Sequence, residues 1–209
     1  MPILAIIGAT GKLGGAVLDA LLTYNLLPPS EIVATTSSDP SSPKAEKIRA
    51  RGVTVRQATF EDPSSLERAF SHVKKLFLVS TPQIQMDFND APHGKGREAH
   101  HFAAIDAAVK AGVEHIYYSS LLFQDRSKSG VMVAHNRTED YLRGLKRTKY
   151  TIIREGLYNE SWPLYLGHYD FPDDDRNEIP VAGDGLITWT AIADLGLGNA
   201  MVAVDDHDT

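Results

Sequence analysis

The segment LAIIGATGKLGGAVLDALL near the start of the chain narrows the fold more than any other stretch. Ile3–Ile7 is a near-continuous apolar run that leads straight into Gly8-Ala9-Thr10-Gly11-Lys12-Leu13-Gly14 and then into a helix-forming AVLDALL. Strand, glycine turn and helix in that order form the setting in which a backbone cradles the pyrophosphate of a dinucleotide. Gly8 permits the tight turn, Gly11 lets the backbone approach the pyrophosphate, and Gly14 allows the helix to pack closely on the strand. The helix N-terminus adds amide donors and the positive end of its dipole.

The same alternation continues along the chain. Strands are expected at Ile3–Ile7, Glu31–Thr36, Val53–Gln57, Lys75–Ser80, His115–Ser119 and Tyr150–Arg154, with helices at Gly11–Leu22, Lys44–Ala50, Ser64–Phe70, Arg97–Ala111 and Val131–Leu142. Runs such as LAIIG, LFLV and TIIR are apolar on both faces, as parallel strands covered by helices must be. Six alternations predict an α/β fold, a doubly wound parallel sheet of Rossmann type. After Gly156 the pattern weakens. Tyr, Trp, Pro and Asp dominate 158–178, a turn-rich IPVAGDG follows, and Ile192–Val204 is a last helix-like stretch. The expected division is a nucleotide-binding domain over 1–156 and a partial substrate lobe over 157–209, some of which returns to the first domain.

Composition removes several classes of function. At 209 residues and 43% hydrophobic, one domain with a substantial core is the default. A net charge of −6 without a basic stretch argues against direct nucleic-acid binding. The absence of cysteine excludes disulfides, thiolate catalysis and thiolate metal sites. MPILAIIG has no basic leader, and its apolar run is too short to span a bilayer, so a soluble cytoplasmic protein without a membrane segment is expected. His100 and His101 invite a metal reading, but adjacent helix positions point about 100° apart, and no metal site is expected. Asp170–Asp175 lacks the ligand rhythm of a calcium loop and reads as a solvated one.

The end of the second strand bears on which nucleotide fits. A chain that prefers NAD usually places an acid there for the ribose hydroxyls. Here the strand ends VATTSSDP, so Thr35, Thr36, Ser37 and Ser38 offer hydroxyls, and no carboxylate repels a 2′-phosphate. Asp39 lies one residue further, and Lys44 is within reach along the chain. NADP(H) is favoured and NAD(H) remains open.

The G-x-x-G-x-x-G spacing is the form found in short-chain dehydrogenases/reductases, and over the whole chain the sequence resembles their NmrA-like branch. The similarity is greatest to NAD(P)H:quinone oxidoreductases of that type. IIGATGKLGG, GVTVRQATFED, KLFLVST, AIDAAVKAGVEHIYYSSLL, AHNRTEDYL, YTIIREGLYNE and the AGDG turn before ITWTAIADLG carry the resemblance. It implies that Thr10, Lys12 and Leu13 line the pyrophosphate and nicotinamide side of the glycine turn, and that Thr59 and Phe60 lie near the adenine. Ser80, Thr81 and Pro82 would end the fourth strand beneath the ribose and nicotinamide. Ser119 and Ser120 would end the fifth, where related reductases keep a hydroxyl near the reacting carbon. Glu155, Gly156 and Tyr158 would follow the sixth, with Glu155 replacing a frequent Asn or Pro. Ser37 stands where such proteins often have an Arg for the 2′-phosphate. His101 matches a histidine of the resembling proteins, expected toward the cleft. Such chains usually continue well beyond this point, so an end at DDHDT implies a shortened lobe and an open substrate pocket.

The resemblance implies hydride transfer to a quinone or related small electrophile. It equally allows a dinucleotide-sensing regulator that binds a protein partner without turnover, and it leaves a homodimer open. Well-characterised short-chain reductases use Tyr and Lys four residues apart on the helix after the fifth strand, a pair this chain lacks. His135 and Glu139 stand at the same spacing, one turn apart on one helix face. As catalytic groups, His135 would give a proton to the acceptor oxygen, with Glu139 orienting it. As plain helix residues, both would belong to a solvated face with Asn136, Arg137, Thr138 and Asp140. Trp162, Tyr165 and Tyr169 would either line a flat aromatic pocket or pack the lobe.

Overall fold

A computed structural model describes residues 2–122, 127, 129–170, 172–181 and 183–205. Six strands form one parallel sheet: β1 (Leu4–Ile7), β2 (Ile32–Thr36), β3 (Thr54–Gln57), β4 (Lys75–Leu78), β5 (His115–Leu121) and β6 (Lys149–Glu155), in the order β3-β2-β1-β4-β5-β6. The strand order reverses between β1 and β4, the point at which open α/β sheets hold their ligands. The expected doubly wound sheet is therefore present.

Alternation along each strand builds two cores. Ala5, Ile7, Val33, Leu76, Leu78, Ile116 and Tyr118 face α3 (Pro63–Phe70), α4 (Glu98–Ala111) and α5 (Gly130–Arg143). Leu4, Ile6, Ile32, Ala34, Phe77 and Tyr117 face α1 (Lys12–Thr23) and α7 (Ile192–Val204), with α2 (Pro43–Arg49) at the side. Local chemistry sets the helix ends. Asp62 accepts a hydrogen bond from the Ser64 amide, and Pro63 opens α3 with its φ already helical. Gly112 ends α4 in the left-handed conformation at φ +81°.

Two boundaries differ from expectation in ways that matter for the site. Strand β4 stops at Leu78, because the Ser80 amide donates to the Ser119 hydroxyl oxygen (3.1 Å) instead of continuing the ladder. Strands β5 and β6 run on together to Leu121 and Glu155, so Glu155 is the last residue of β6 and not a loop residue after it.

Beyond Gly156 regular structure is sparse. β7 (Leu157–Tyr158) leads to a 3-10 turn over Asn159–Ser161 and the single-turn α6 (Trp162–Tyr165). β8 (Trp189–Thr190) returns to pair with β7 in parallel. Gly156 is needed there, since a Cβ would stand 2.6 Å from the Thr188 carbonyl oxygen. Helix α7 then packs on α1, so tightly at Gly196 that a Cβ would meet the Ala16 backbone at 2.6 Å. Its buried positions Gly196, Asn199, Ala200 and Ala203 repeat at helical spacing. The residues after Asp205, with most of the DDHDT terminus, and Ala182 of the AGDG turn lie outside the described residues. Among the described residues no helix is long and apolar enough to cross a membrane.

Candidate functional site

The glycine turn is built to receive a phosphate. Gly8 takes φ +81°, and the Gly11 amide donates to its carbonyl (2.9 Å). A Cβ on Gly14 would stand 2.4 Å from the same oxygen, so helix and strand meet there as only glycine allows. Helix α1 has no side-chain N-cap and no acid in its first turn, leaving its positive end and first amides open to an anion. A groove of about 640 Å³ runs over this turn, lined by Gly8, Thr10, Gly11, Lys12, Leu13 and Gly14. Ser37, Thr59, Phe60, Ser80, Thr81, Pro82 and Tyr158 also line it. An open cradle that a Cβ would close fits a dinucleotide.

Of the expected nucleotide residues, Ser119, Glu155 and Gly156 line an adjoining cavity instead of the groove, and Thr36 and Ser38 line neither. Thr36 is buried, and its hydroxyl oxygen accepts from the Ser38 amide (3.2 Å), closing the turn after β2. The groove is lined by Thr35 and Ser37 instead. Glu61, bonded by the Thr59 hydroxyl, also lines it, and that hydrogen bond holds its carboxyl below the usual range. Lys44 on α2 is outside the lining. His100 stacks on Phe60 (5.2 Å, 4° between planes), whereas His101 turns inward, so the two point apart. Among the described residues no cluster of three His, Cys, Asp or Glu side chains could hold a metal.

A smaller cavity of about 250 Å³ opens from the groove at the carboxyl ends of β4, β5 and β6. Val79, Ser80, Thr81, Pro82 and Tyr158 line both spaces. Ser119, Ser120, His135, Glu155 and Gly156 line the cavity, together with Arg97, Leu164 and Tyr165. Of the three aromatic candidates only Tyr165 reaches this lining. Trp162 is 45% exposed, and Tyr169 is absent from it.

His135 and Glu139 lie on the inward face of α5 with Met132, Ala134, Thr138 and Leu142, so the solvated-face reading is corrected. They do not bond each other. Glu139 accepts from Ser120 Oγ (2.7 Å), Arg154 Nη2 (2.6 Å) and Arg143 Nη2 (2.8 Å). Burial pushes its carboxyl up, but these donors outweigh it and hold the pKa below normal. The partner of His135 is Tyr118, whose hydroxyl lies 2.9 Å from Nδ1. Tyr118, not Glu139, holds His135 Nδ1, while Glu139 one turn on meets Ser120 of the same strand and Arg154 of β6.

His101 is corrected as well. It is fully buried, and its Nε2 accepts from the Thr81 amide (3.1 Å). Nδ1 must then carry the proton, and it donates to Thr138 Oγ1 (2.8 Å). His101 fastens the Ser80–Thr81 turn beneath the cavity. Arg97 supports the same turn: Nη1 donates to the Thr81 carbonyl (3.0 Å) and Nη2 to the Val131 carbonyl (2.9 Å). Its Nε donates to Asp87 (2.6 Å) in a pair that is almost fully buried.

Protonation states follow from burial. His135 is pushed down to about 3, chiefly by desolvation and then by Arg97, so it is neutral at physiological pH. It can donate an N–H hydrogen bond but carries no exchangeable imidazolium proton. Burial raises the Tyr118 hydroxyl. Glu155 behaves differently: burial lifts it to about 7 against the hydrogen bonds from Asn199 Nδ2 (2.6 Å) and Tyr158 Oη (3.1 Å).

Arg97, Tyr118, Thr138 and Asn199 were not singled out as site residues from the sequence. Asn199 left one signal, an amide on the buried stripe of α7 among Gly196, Ala200 and Ala203. The others are joined only by tertiary contact.

The NmrA-like family matches residues 2–163. The chain belongs to the NmrA-like family. It is 36% identical to quinone oxidoreductase 2 of Escherichia coli over 203 residues, which is 95% of this chain and 63% of that protein. An NmrA-like family domain-containing oxidoreductase, flvB of Aspergillus flavus, is 33% identical over 95% of this chain and 61% of its own length. The chain thus spans less than two thirds of these curated relatives. Among solved structures, the E. coli NADPH-dependent quinone oxidoreductase complexed with NADPH superimposes with a TM-score of 0.76 at 34% identity, covering 98% of this chain and 66% of the other. The Citrobacter triphenylmethane reductase complexed with NADP(H) gives 0.78 at 28% identity, with coverage of 98% and 66%.

Proposed function

We propose that this chain is the nucleotide-binding part of an NAD(P)H-dependent oxidoreductase that passes hydride to a quinone or a related small electrophile. The observation that carries this reading is the continuity of the two spaces. A dinucleotide groove at the glycine turn opens, across Ser80–Pro82 and Tyr158, into a cavity of single-ring size. The relatives' names point the same way.

NADP(H) is the favoured nucleotide. Thr35 and Ser37, both hydroxyl residues, line the groove at the end of β2, and the two solved relatives are complexes with NADPH or NADP(H). Gly8 to Gly14 and the start of α1 would hold the pyrophosphate, Thr59 and Phe60 the adenine, and Ser80–Pro82 the ribose and nicotinamide. The reduced nucleotide supplies the hydride, and the protein supplies orientation. Neutral His135, held at Nδ1 by Tyr118, would present Nε2–H to an acceptor oxygen. Ser120 and Glu139 would anchor the wall behind it, while Ser119 holds Ser80 in place. Quinones accept hydride readily, so the missing Tyr/Lys pair does not count against this reaction. A small aromatic acceptor is the partner this site supports.

Two measurements test the reading. NADPH oxidation against a panel of simple quinones should show turnover, and tight nucleotide binding with no oxidation across the panel would replace the enzyme with a nucleotide sensor. Calorimetric titration should rank NADPH above NADH.

A further inference from the structure

The cavity has a second polar edge. Tyr158 lines both the groove and the cavity, so its hydroxyl stands where nucleotide and acceptor would meet. That hydroxyl donates to Glu155 Oε2 (3.1 Å) when Glu155 is a carboxylate, and the same contact runs from Glu155 to the phenolic oxygen when Glu155 carries a proton. Glu155 ends β6 with 3% exposure, and its other oxygen is fixed by Asn199 from α7 (2.6 Å). No ion pair of Glu155 appears among the described residues, in contrast to Glu139 with its two arginines. The ionisable groups around the pair are His135 from α5, Arg97 ahead of α4 with its charge engaged by Asp87, Tyr165 from α6, and Lys12 at the start of α1. None of them is bonded to Glu155.

From this arrangement we infer that Tyr158 delivers a proton to the reduced acceptor and that Glu155 resupplies it. This inference rests on the oxidoreductase reading above. Hydride addition to a quinone carbonyl leaves one negative charge on the acceptor oxygen. The Tyr158 O–H bond breaks toward that oxygen while the Glu155 carboxylic proton passes to the phenolic oxygen, so Tyr158 ends neutral and Glu155 ends as a carboxylate. Solvent then returns one proton to Glu155. The sum is one hydride and one proton added to the acceptor. Burial favours an uncharged carboxyl at this position near neutral pH, which is the state the step requires. Tyr158 touches the reacting space and is the catalytic group; Glu155 acts through it.

The test uses the chain as it is, with NADPH and a sluggish quinone for which proton delivery limits the rate. Tyr158→Phe should lower kcat by about tenfold or more, a larger effect than on NADPH affinity, because the ring that lines the groove is kept. Wild type should lose kcat above about pH 7 as Glu155 ionises, and Glu155→Gln should abolish that fall. Independently of turnover, infrared titration should show a carboxylic-acid band, absent from the Glu155→Gln protein, that disappears near the same pH. An active wild type whose Tyr158→Phe variant keeps full kcat and the same profile would overturn the relay alone. So would a Glu155 found ionised from pH 5 upward. A wild type inactive with every quinone would remove the oxidoreductase reading and the relay with it.

Discussion

Two buried polar groups face each other across one cavity, and burial has driven them to opposite uses. On the α5 side, Tyr118, His135, His101 and Thr138 form a closed chain of hydrogen bonds, with Arg97 locked beside it. On the α7 side, the side-chain partners of the Glu155 carboxyl among the described residues are Tyr158 and Asn199. Desolvation favours the neutral form in both. For a base this moves the pKa away from neutrality, to about 3 for His135; for an acid it moves toward neutrality, to about 7 for Glu155. The same physical cause leaves one side a fixed set of neutral hydrogen-bonding groups and gives the other a carboxyl that titrates near neutrality.

The largest break in that contrast is Arg97→Ala. It leaves the buried Asp87 charge without its guanidinium and frees the Thr81 and Val131 carbonyls. Removing one partner of a buried pair costs about 3–5 kcal/mol. Denaturant unfolding should show a loss of that size, and a loss below about 1 kcal/mol would mean that the scaffold side is not closed.

Next in size is the acid limb of stability. His135 is depressed in the fold, so the unfolded chain binds its proton first as pH drops. Its contribution is complete above about 6.5 and is lost as pH falls toward about 3. His101 is shifted in the same direction by burial. His135→Gln should flatten the decline in unfolding free energy between pH 6.5 and 4.

Glu155 has the opposite sign. Its pKa is raised in the fold, so ionisation costs stability as pH climbs from about 4.5 through about 7. Glu155→Gln should gain stability relative to wild type between pH 5 and pH 8. A variant equally offset at both pH values would contradict a titrating Glu155.

How much of this could be read from residues alone follows from the range of the interactions. Parallel strands advertise themselves through apolar runs, and the glycine turn through spacing, so the sheet, the helices and the groove lining from Gly8 to Gly14 were legible. The i,i+4 placement of His135 and Glu139 on one helix face was legible too. Their partners were not: Tyr118 and Arg154 come from two different strands, and α5 alone does not reveal which strand each side chain meets. Asn199 reaches Glu155 across 44 positions of sequence, through a helix that returns after a stretch with almost no regular structure. Thr36 failed as a groove residue for a local reason, since its hydroxyl closes its own turn at Ser38.

The smallest effect belongs to Ser120, and it sharpens the contrast most finely. A hydroxyl at the end of β5 sits where it could touch an acceptor, and Ser120 does line the cavity. Yet its Oγ donates to Glu139 at 2.7 Å, and Glu139 is held by Arg143 and Arg154 besides. Ser120→Ala removes one neutral donor from a carboxylate that keeps both cations, which should cost about 0.5–1.5 kcal/mol. If the hydroxyl serves the scaffold, kcat/KM for a quinone should stay within about twofold, since a group that stabilises only the ground-state fold leaves transition-state binding untouched. A tenfold fall with that same small loss of stability would move Ser120 from the scaffold to the acceptor and place chemistry on both sides of the cavity.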